Sequence, residues 1–214
     1  MKILSSPSPN FDERPTDTPI DMLVLHYTGM KSAQDALDRM CDSKAEVSAH
    51  YMIDEDGNII QLVAEDKRAW HAGVAYWRGH TNINARSIGI EIVNPGHEWG
   101  YRAFPAQQIK AVIHLSKDIL SRHPIPARNV VGHSDVAPNR KQDPGELFPW
   151  HELAQNGIGL WPDAQFNQTS LLDLGYEDEG ADSILAFQRH FTPDHLNGVL
   201  DDRTKEALSR ICLT

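Results

Sequence analysis

Two short apolar runs each deliver a histidine, and this repetition limits the possible folds more than any other feature of the chain. Val130-Val131-Gly132 leads to His133, and Met22-Leu23-Val24-Leu25 leads to His26. Short β-branched and aliphatic runs bounded by breakers read as buried strands. A loop rich in Pro, Asn and Asp follows His133 and holds Lys141 and Asp143 two residues apart, so an extended loop turns both to the same side. An imidazole and a carboxylate on one loop suit a divalent metal. Two ligands do not complete such a site, and His26, delivered in the same way, is the best third. Three protein ligands with one open position is the pattern of catalytic zinc, whereas structural zinc usually has four.

Between these histidines the chain alternates strand and helix patterns. Residues Ser5 to Pro19 read as an extended lead-in, Met22 to Tyr27 as a central strand, and Ser32 as the cap of a helix with Ala33, Leu37, Met40 and Cys41 on one face. Val47 to Ile53 reads as a strand, Asp54-Glu55-Asp56-Gly57-Asn58 as a turn and Ile59 to Val63 as the returning strand, which makes a hairpin. Trp70-His71-Ala72-Gly73 and Tyr76-Trp77-Arg78-Gly79-His80 form an aromatic loop punctuated by glycine. Ser87 to Val93 reads as a strand with Glu91 inside it. Pro105 sits at a plausible first helical position, and Ile109, Val112, Ile113, Ser116, Ile119 and Leu120 carry helical periodicity as far as Pro124 and Pro126. Asn129 to Gly132 is the strand before His133. The fold class expected is α/β, with a mixed central β-sheet flanked by helices.

After Trp161-Pro162 the composition shifts. From Asp163 there are ten acidic residues against four basic ones, and three short helices are expected. One surrounds Leu171, Leu172 and Leu174. The next is capped by Asp182 and carries Ile184, Leu185, Phe187, Gln188 and Phe191. The last follows Asp202 and carries Ala207, Leu208 and Ile211. The expected division is therefore 1–162 for the main domain and 163–214 for a small helical one leaning on it.

Charge and composition exclude several classes of partner. A net charge of −10 and a pI near 5.5 argue against nucleic acid and anionic membranes, which need a basic face. No run of about 18 apolar residues exists, so no membrane span is expected. Cys41 and Cys212 stand near opposite ends of the chain and read as reduced thiols. Met1 to Pro7 lacks the apolar stretch of a secretory signal, so the expectation is a cytoplasmic protein, or a periplasmic one if an export signal is removed before maturity.

A lone histidine after an apolar strand is more often a satisfied core residue than a ligand. The set shifts the balance: two strand-end histidines, an aspartate in a Pro-bracketed loop, and a glutamate in an otherwise apolar strand. Buried glutamate is costly unless paired or used. Glu91 is either half of an ion pair with Lys141 or Arg86, or a general base beside the open metal position. Lys141 is either a solvated surface residue or the group that stabilises an oxyanion. His50 and His71 flank the aromatic loop and are candidates for substrate contact. Trp70 and Trp77 suit the core and a sugar-stacking face equally well.

The segments Val24-Leu25-His26-Tyr27-Thr28, Ser48-Ala49-His50-Tyr51-Met52-Ile53, Ala69-Trp70-His71-Ala72-Gly73, Asn84 to Asn94, and Val131-Gly132-His133-Ser134-Asp135 through Lys141-Gln142-Asp143-Pro144-Gly145 together resemble a known family. It is the type 2 family of zinc-dependent N-acetylmuramoyl-L-alanine amidases, which includes anhydro-muropeptide amidases and is related to T7-type phage lysozymes and peptidoglycan recognition proteins. Leu174-Gly175-Tyr176, Ala186 to Phe191 and Asn197 to Asp201 resemble a peptidoglycan-binding three-helix module, and the order of the two parts resembles the AmiD subgroup. The resemblance implies zinc on His26, His133 and Asp143, Glu91 as catalytic acid/base and Lys141 as oxyanion stabiliser. The expected substrate contacts are His50, Trp70, His71, Arg86 and Asn94, all within the matching segments. Asp143 stands where T7-type lysozymes carry cysteine. The implied reaction is hydrolysis of the amide between N-acetylmuramic acid, or its 1,6-anhydro form, and L-alanine of the stem peptide, by a monomer acting on muropeptides. The competing expectations are a non-catalytic peptidoglycan-binding module with structural zinc, and a zinc peptidase cutting within the stem peptide.

Overall fold

The computed structural model describes residues 2–163, 166 and 169–213. The strands are β1 (Ile3–Ser5), β2 (Phe11–Glu13), β3 (Met22–Tyr27), β4 (Tyr51–Ile53), β5 (Ile59–Gln61), β6 (Lys67–Ala69), β7 (Ser87–Ile92) and β8 (Val130–Gly132). The helices are α1 (Ala33–Cys41), α2 (Ile83–Arg86), α3 (Gly96–Trp99), α4 (Ala106–Arg122), α5 (His133–Val136), α6 (Trp150–Gln155), α7 (Leu171–Leu174), α8 (Ala181–Phe191) and α9 (Asp202–Ser209). Six strands form a mixed sheet in the order β1-β5-β4-β7-β3-β8, in which only the β4–β5 hairpin is antiparallel. Strands β2 and β6 make a separate antiparallel pair.

Side chains alternate across a strand, and this sets what each face buries. Leu23 and Leu25 of β3 and Ile88, Ile90 and Ile92 of β7 pack with Ile109, Val112, Leu115 and Ile119 of α4. The alternate residues of the same strands, Met22, Val24 and His26 on β3 and Ser87, Gly89 and Glu91 on β7, belong to the opposite face. There Met22, Val24 and Val131 join Trp77, Leu171, Tyr176, Ile184 and Phe187 in one apolar cluster. The three expected C-terminal helices form, and their apolar sides are continuous with this face of the sheet. Helix α1 covers Met52, Ile60 and Val93 in a third cluster.

Several local expectations are corrected. The lead-in contains two strands, because β1 extends the sheet beside β5 and β2 pairs with β6. The strand expected from Val47 begins only at Tyr51: the Asn10 amide donates to the Val47 carbonyl, and the Ser48 amide donates to the Trp70 carbonyl while the Trp70 amide donates to Ser48 Oγ. Pro105 is the N-cap of α4 and not its first residue. Gly180, not Asp182, caps α8, and Asp182 lies in its first turn. His133 opens a single helical turn where a loop was expected.

Candidate metal centre and active site

Parallel strands β3, β7 and β8 bring their C-terminal ends side by side, with His26 in register with Glu91 across β3 and β7. His133 follows β8 directly. The Ser134 amide donates to the Asp143 carbonyl at 2.8 Å, which folds the following loop back over the strand ends. Three buried side chains converge as a result. His26 Nδ1 and His133 Nδ1 are 2.9 Å apart, and Asp143 Oδ2 lies 3.1 Å from the first and 3.0 Å from the second.

Hydrogen positions on both imidazoles follow from their outer partners. His133 Nε2 lies 3.0 Å from the Ala72 carbonyl, which can only accept, so the ring hydrogen sits on Nε2. For His26 the order is set from further out. Ser87 Oγ donates to the Ile83 carbonyl at 2.7 Å and is left to accept from His71 Nε2 at 3.1 Å. His71 Nδ1 then accepts from His26 Nε2 at 3.0 Å. Both Nδ1 lone pairs therefore face the Asp143 carboxyl with no hydrogen between any two of the three atoms. A cation satisfies all three at once. Tetrahedral zinc ligands stand roughly 3.3 Å apart, and these stand within a few tenths of an ångström of that. Two neutral imidazoles and one carboxylate, each oriented by an outer partner, fit zinc and leave a coordination position open. Burial, reinforced by the neighbouring His133, lowers His26 to about 4 and keeps it neutral.

Glu91 projects from β7 on the same face. Its Oε2 is buried without a hydrogen-bond partner. Burial, helped by the Asp143 charge and opposed by Lys141, pushes its carboxyl well above the usual range. The ion pair with Arg86 does not form, because Arg86 is held by both carboxylate oxygens of Asp21. Lys141 is half-buried, and its charge acts on both Glu91 and His26.

The expected substrate contacts are mostly spent inside the protein. His71 lies behind His26, 6 % exposed, and orients that ligand. His50 is fully buried: its Nδ1 accepts from the Gly89 amide, its Nε2 faces the Lys67 carbonyl, and burial followed by the charge of Arg14 lowers it to about 3. Asn94 is buried, accepts from the Gly96 amide and donates to the Arg102 carbonyl, which closes the loop after β7. Arg86 is committed to Asp21. Trp70 and Arg86 are both partly exposed, but the Arg86 guanidinium is the one already taken. Trp77 is core, edge-on to Tyr176.

Sequence reasoning missed a group at the mouth of the site. Tyr27 Oη donates to His97 Nδ1 at 3.0 Å, His97 Nε2 faces Glu146 at 3.1 Å, and His97 stacks on Tyr101. Tyr101 Oη donates to the Pro144 carbonyl and accepts from the Leu147 amide, and so pins the loop that carries Asp143. Burial, then the Asp143 charge, raises Tyr27 to about 12. His97 lies in α3, beyond the Asn94-Pro95 segment that follows β7, and not at a strand end like His26 and His133, so no local pattern singled it out.

Comparison with known proteins bears on the family and the fold. The family described as N-acetylmuramoyl-L-alanine amidase (Amidase_2) matches residues 16–146. The N-acetylmuramoyl-L-alanine amidase AmiD of Escherichia coli is 40 % identical over 223 residues, spanning 87 % of this chain and 80 % of the relative. The structure of E. coli AmiD with the substrate anhydro-N-acetylmuramic acid-L-Ala-D-gamma-Glu-L-Lys superposes with a TM-score of 0.81 at 35 % identity, covering 94 % of this chain and 96 % of that one. AmpDh3 of Pseudomonas aeruginosa in complex with anhydromuramic pentapeptide gives 0.80 at 34 % identity, covering 96 % and 97 %.

Proposed function

Because this chain belongs to the N-acetylmuramoyl-L-alanine amidase family, we propose that it is a zinc amidase that cuts the bond between anhydro-N-acetylmuramic acid and L-alanine in muropeptides, in the recycling of peptidoglycan. The observation that carries this reading is the convergence of three lone-pair atoms, His26 Nδ1, His133 Nδ1 and Asp143 Oδ2, beside a buried carboxyl with an unpartnered oxygen. Among the described residues this group offers three protein ligands, the number a catalytic site uses.

His26, His133 and Asp143 would hold the metal, which supplies Lewis acidity at the scissile carbonyl and acidifies water. The protein's own residues do the rest. Glu91 takes the proton of the attacking water and later passes it to the departing L-alanine nitrogen, a task suited to a carboxyl whose pKa burial has raised. Lys141 stabilises the oxyanion of the tetrahedral intermediate. His71 and the Ala72 carbonyl keep the two ligand rings in one tautomer. Trp70 stacks against a sugar ring at the rim.

Mass spectrometry of a digested anhydro-muropeptide tests the assignment. Release of free stem peptide beginning at L-alanine supports the amidase. A shortened peptide still attached to the sugar identifies a peptidase, and binding without cleavage identifies a recognition module. In the same assay Glu91→Ala and Lys141→Ala keep zinc and lose turnover, whereas His133→Ala loses both; full activity of Glu91→Ala removes the acid/base assignment.

A further inference from the structure

The turn that presents His133 is held from outside the catalytic sheet. Asp135, 1 % exposed, accepts three hydrogen bonds. One comes from the Gly132 amide to Oδ2 at 2.7 Å and closes α5 onto the end of β8, one residue before the ligand. The other two come from the C-terminal segment: Tyr176 Oη donates to Oδ1 at 2.6 Å, and His190 Nδ1 donates to Oδ2 at 2.8 Å. The His190 ring lies flat on Trp150, with centroids 3.8 Å apart, and its Nε2 is buried without a partner. The imidazole is therefore used there for one donor, the one aimed at Asp135. Gly132 completes the joint: a Cβ there would stand 2.8 Å from Pro144, the residue after Asp143, and 3.3 Å from Trp150.

We propose that Tyr176 and His190 are positioning residues for the metal centre, acting through Asp135 to fix the turn that carries His133. The inference rests on the metal reading of His26, His133 and Asp143. A buried carboxyl stripped of two of its three donors swings toward water or recruits it, because an unsatisfied buried acceptor is costly. Its remaining bond, to the Gly132 amide, then no longer fixes the strand end. The other ties of the turn stay in place: the Ala137 amide to the His133 carbonyl, the Ser134 amide to the Asp143 carbonyl, and His133 Nε2 to the Ala72 carbonyl. The expected result is a looser site in a chain that still folds.

The test uses the full chain with Tyr176→Phe and His190→Phe, which keep an aromatic ring in each place and remove the donor to Asp135. Ile184→Ala serves as the control, since Ile184 is buried in the same apolar cluster on α8. Zinc affinity is read by chelator competition, the site geometry by the visible spectrum of the cobalt-substituted protein, and stability by melting of the metal-free chain. The expected losses of zinc affinity are about 10- to 100-fold, with an altered cobalt spectrum. Ile184→Ala should melt lower with zinc affinity unchanged, and His190→Asn, which returns an N–H to Asp135, should recover affinity. Wild-type affinity in Tyr176→Phe, or an equal loss in Ile184→Ala, overturns the proposal. A wild-type chain that takes up no zinc overturns the metal reading itself, a distinguishable failure.

Discussion

Glu91 faces the His26, His133 and Asp143 group from β7, and among the described residues its Oε2 has no hydrogen-bond partner, so its protonation is tied to folding as well as to catalysis. Burial raises its folded pKa above the unfolded value of about 4.3. The native chain then binds this proton more tightly than the unfolded chain, so the contribution is fully present at low pH and is lost as pH rises through the folded value. Glu91→Gln removes that loss. The metal-free variant should melt higher than wild type at pH 7, by about 2–4 °C for each kcal/mol recovered, and the difference should vanish near pH 4. In the metal-loaded protein the same substitution should cut turnover by at least about 100-fold. Melting curves across pH read the first effect and steady-state rates the second; a variant no more stable than wild type at pH 7 would contradict the burial argument.

At the level of elements, β7 divides its work by alternation. Ile88, Ile90 and Ile92 are fully buried and pack toward α4, while Ser87, Gly89 and Glu91 serve the opposite face. Ser87 orders the hydrogen on His71, and Glu91 faces the ligands. Gly89 leaves room for the His71 ring, whose Cγ would lie 2.6 Å from any Cβ there. Gly89→Ala should push His71 off His26 Nε2 and lower zinc affinity about 10- to 100-fold, the usual effect of losing an outer partner. Ser87→Ala should do so more mildly, because it removes an acceptor without forcing a ring to move. Chelator competition measures both, and unchanged affinity in Gly89→Ala would show that His71 does not orient the ligand.

For the whole molecule, the question is whether residues 163–214 are a satellite or part of the wall. Leu171, Leu174, Tyr176, Ile184 and Phe187 share one apolar cluster with Met22, Val24, Trp77 and Val131 of the sheet face. Removing them would expose several fully buried aliphatic and aromatic side chains, each worth about 1.5–3 kcal/mol of burial. A chain ending at residue 162 should therefore melt lower or aggregate, as judged by size-exclusion chromatography and thermal melting. A soluble, monomeric fragment with the melting temperature of the full chain would establish an independent domain instead.

The sequence by itself determined the central strands, the long helix and the three side chains that could hold a metal. Each of these depends on local pattern: aliphatic runs ending in histidine, a 3.6-residue period between prolines, and an aspartate bracketed for a tight loop. It also marked Glu91, since a glutamate in a buried strand needs a reason. Only the tertiary structure decided which of two readings each ambiguous residue takes. His50 and His71 stand in similar sequence settings, yet one is a core residue braced against the Gly89 amide and the other orients a ligand. Arg86 was a plausible partner for Glu91 until Asp21, 65 residues away, claimed it. The clamp of Tyr176 and His190 on Asp135 spans 41 and 55 residues and leaves no local trace. Periodicity records which face a side chain takes, but the partner that meets it there comes from elsewhere in the chain, and only packing brings the two together.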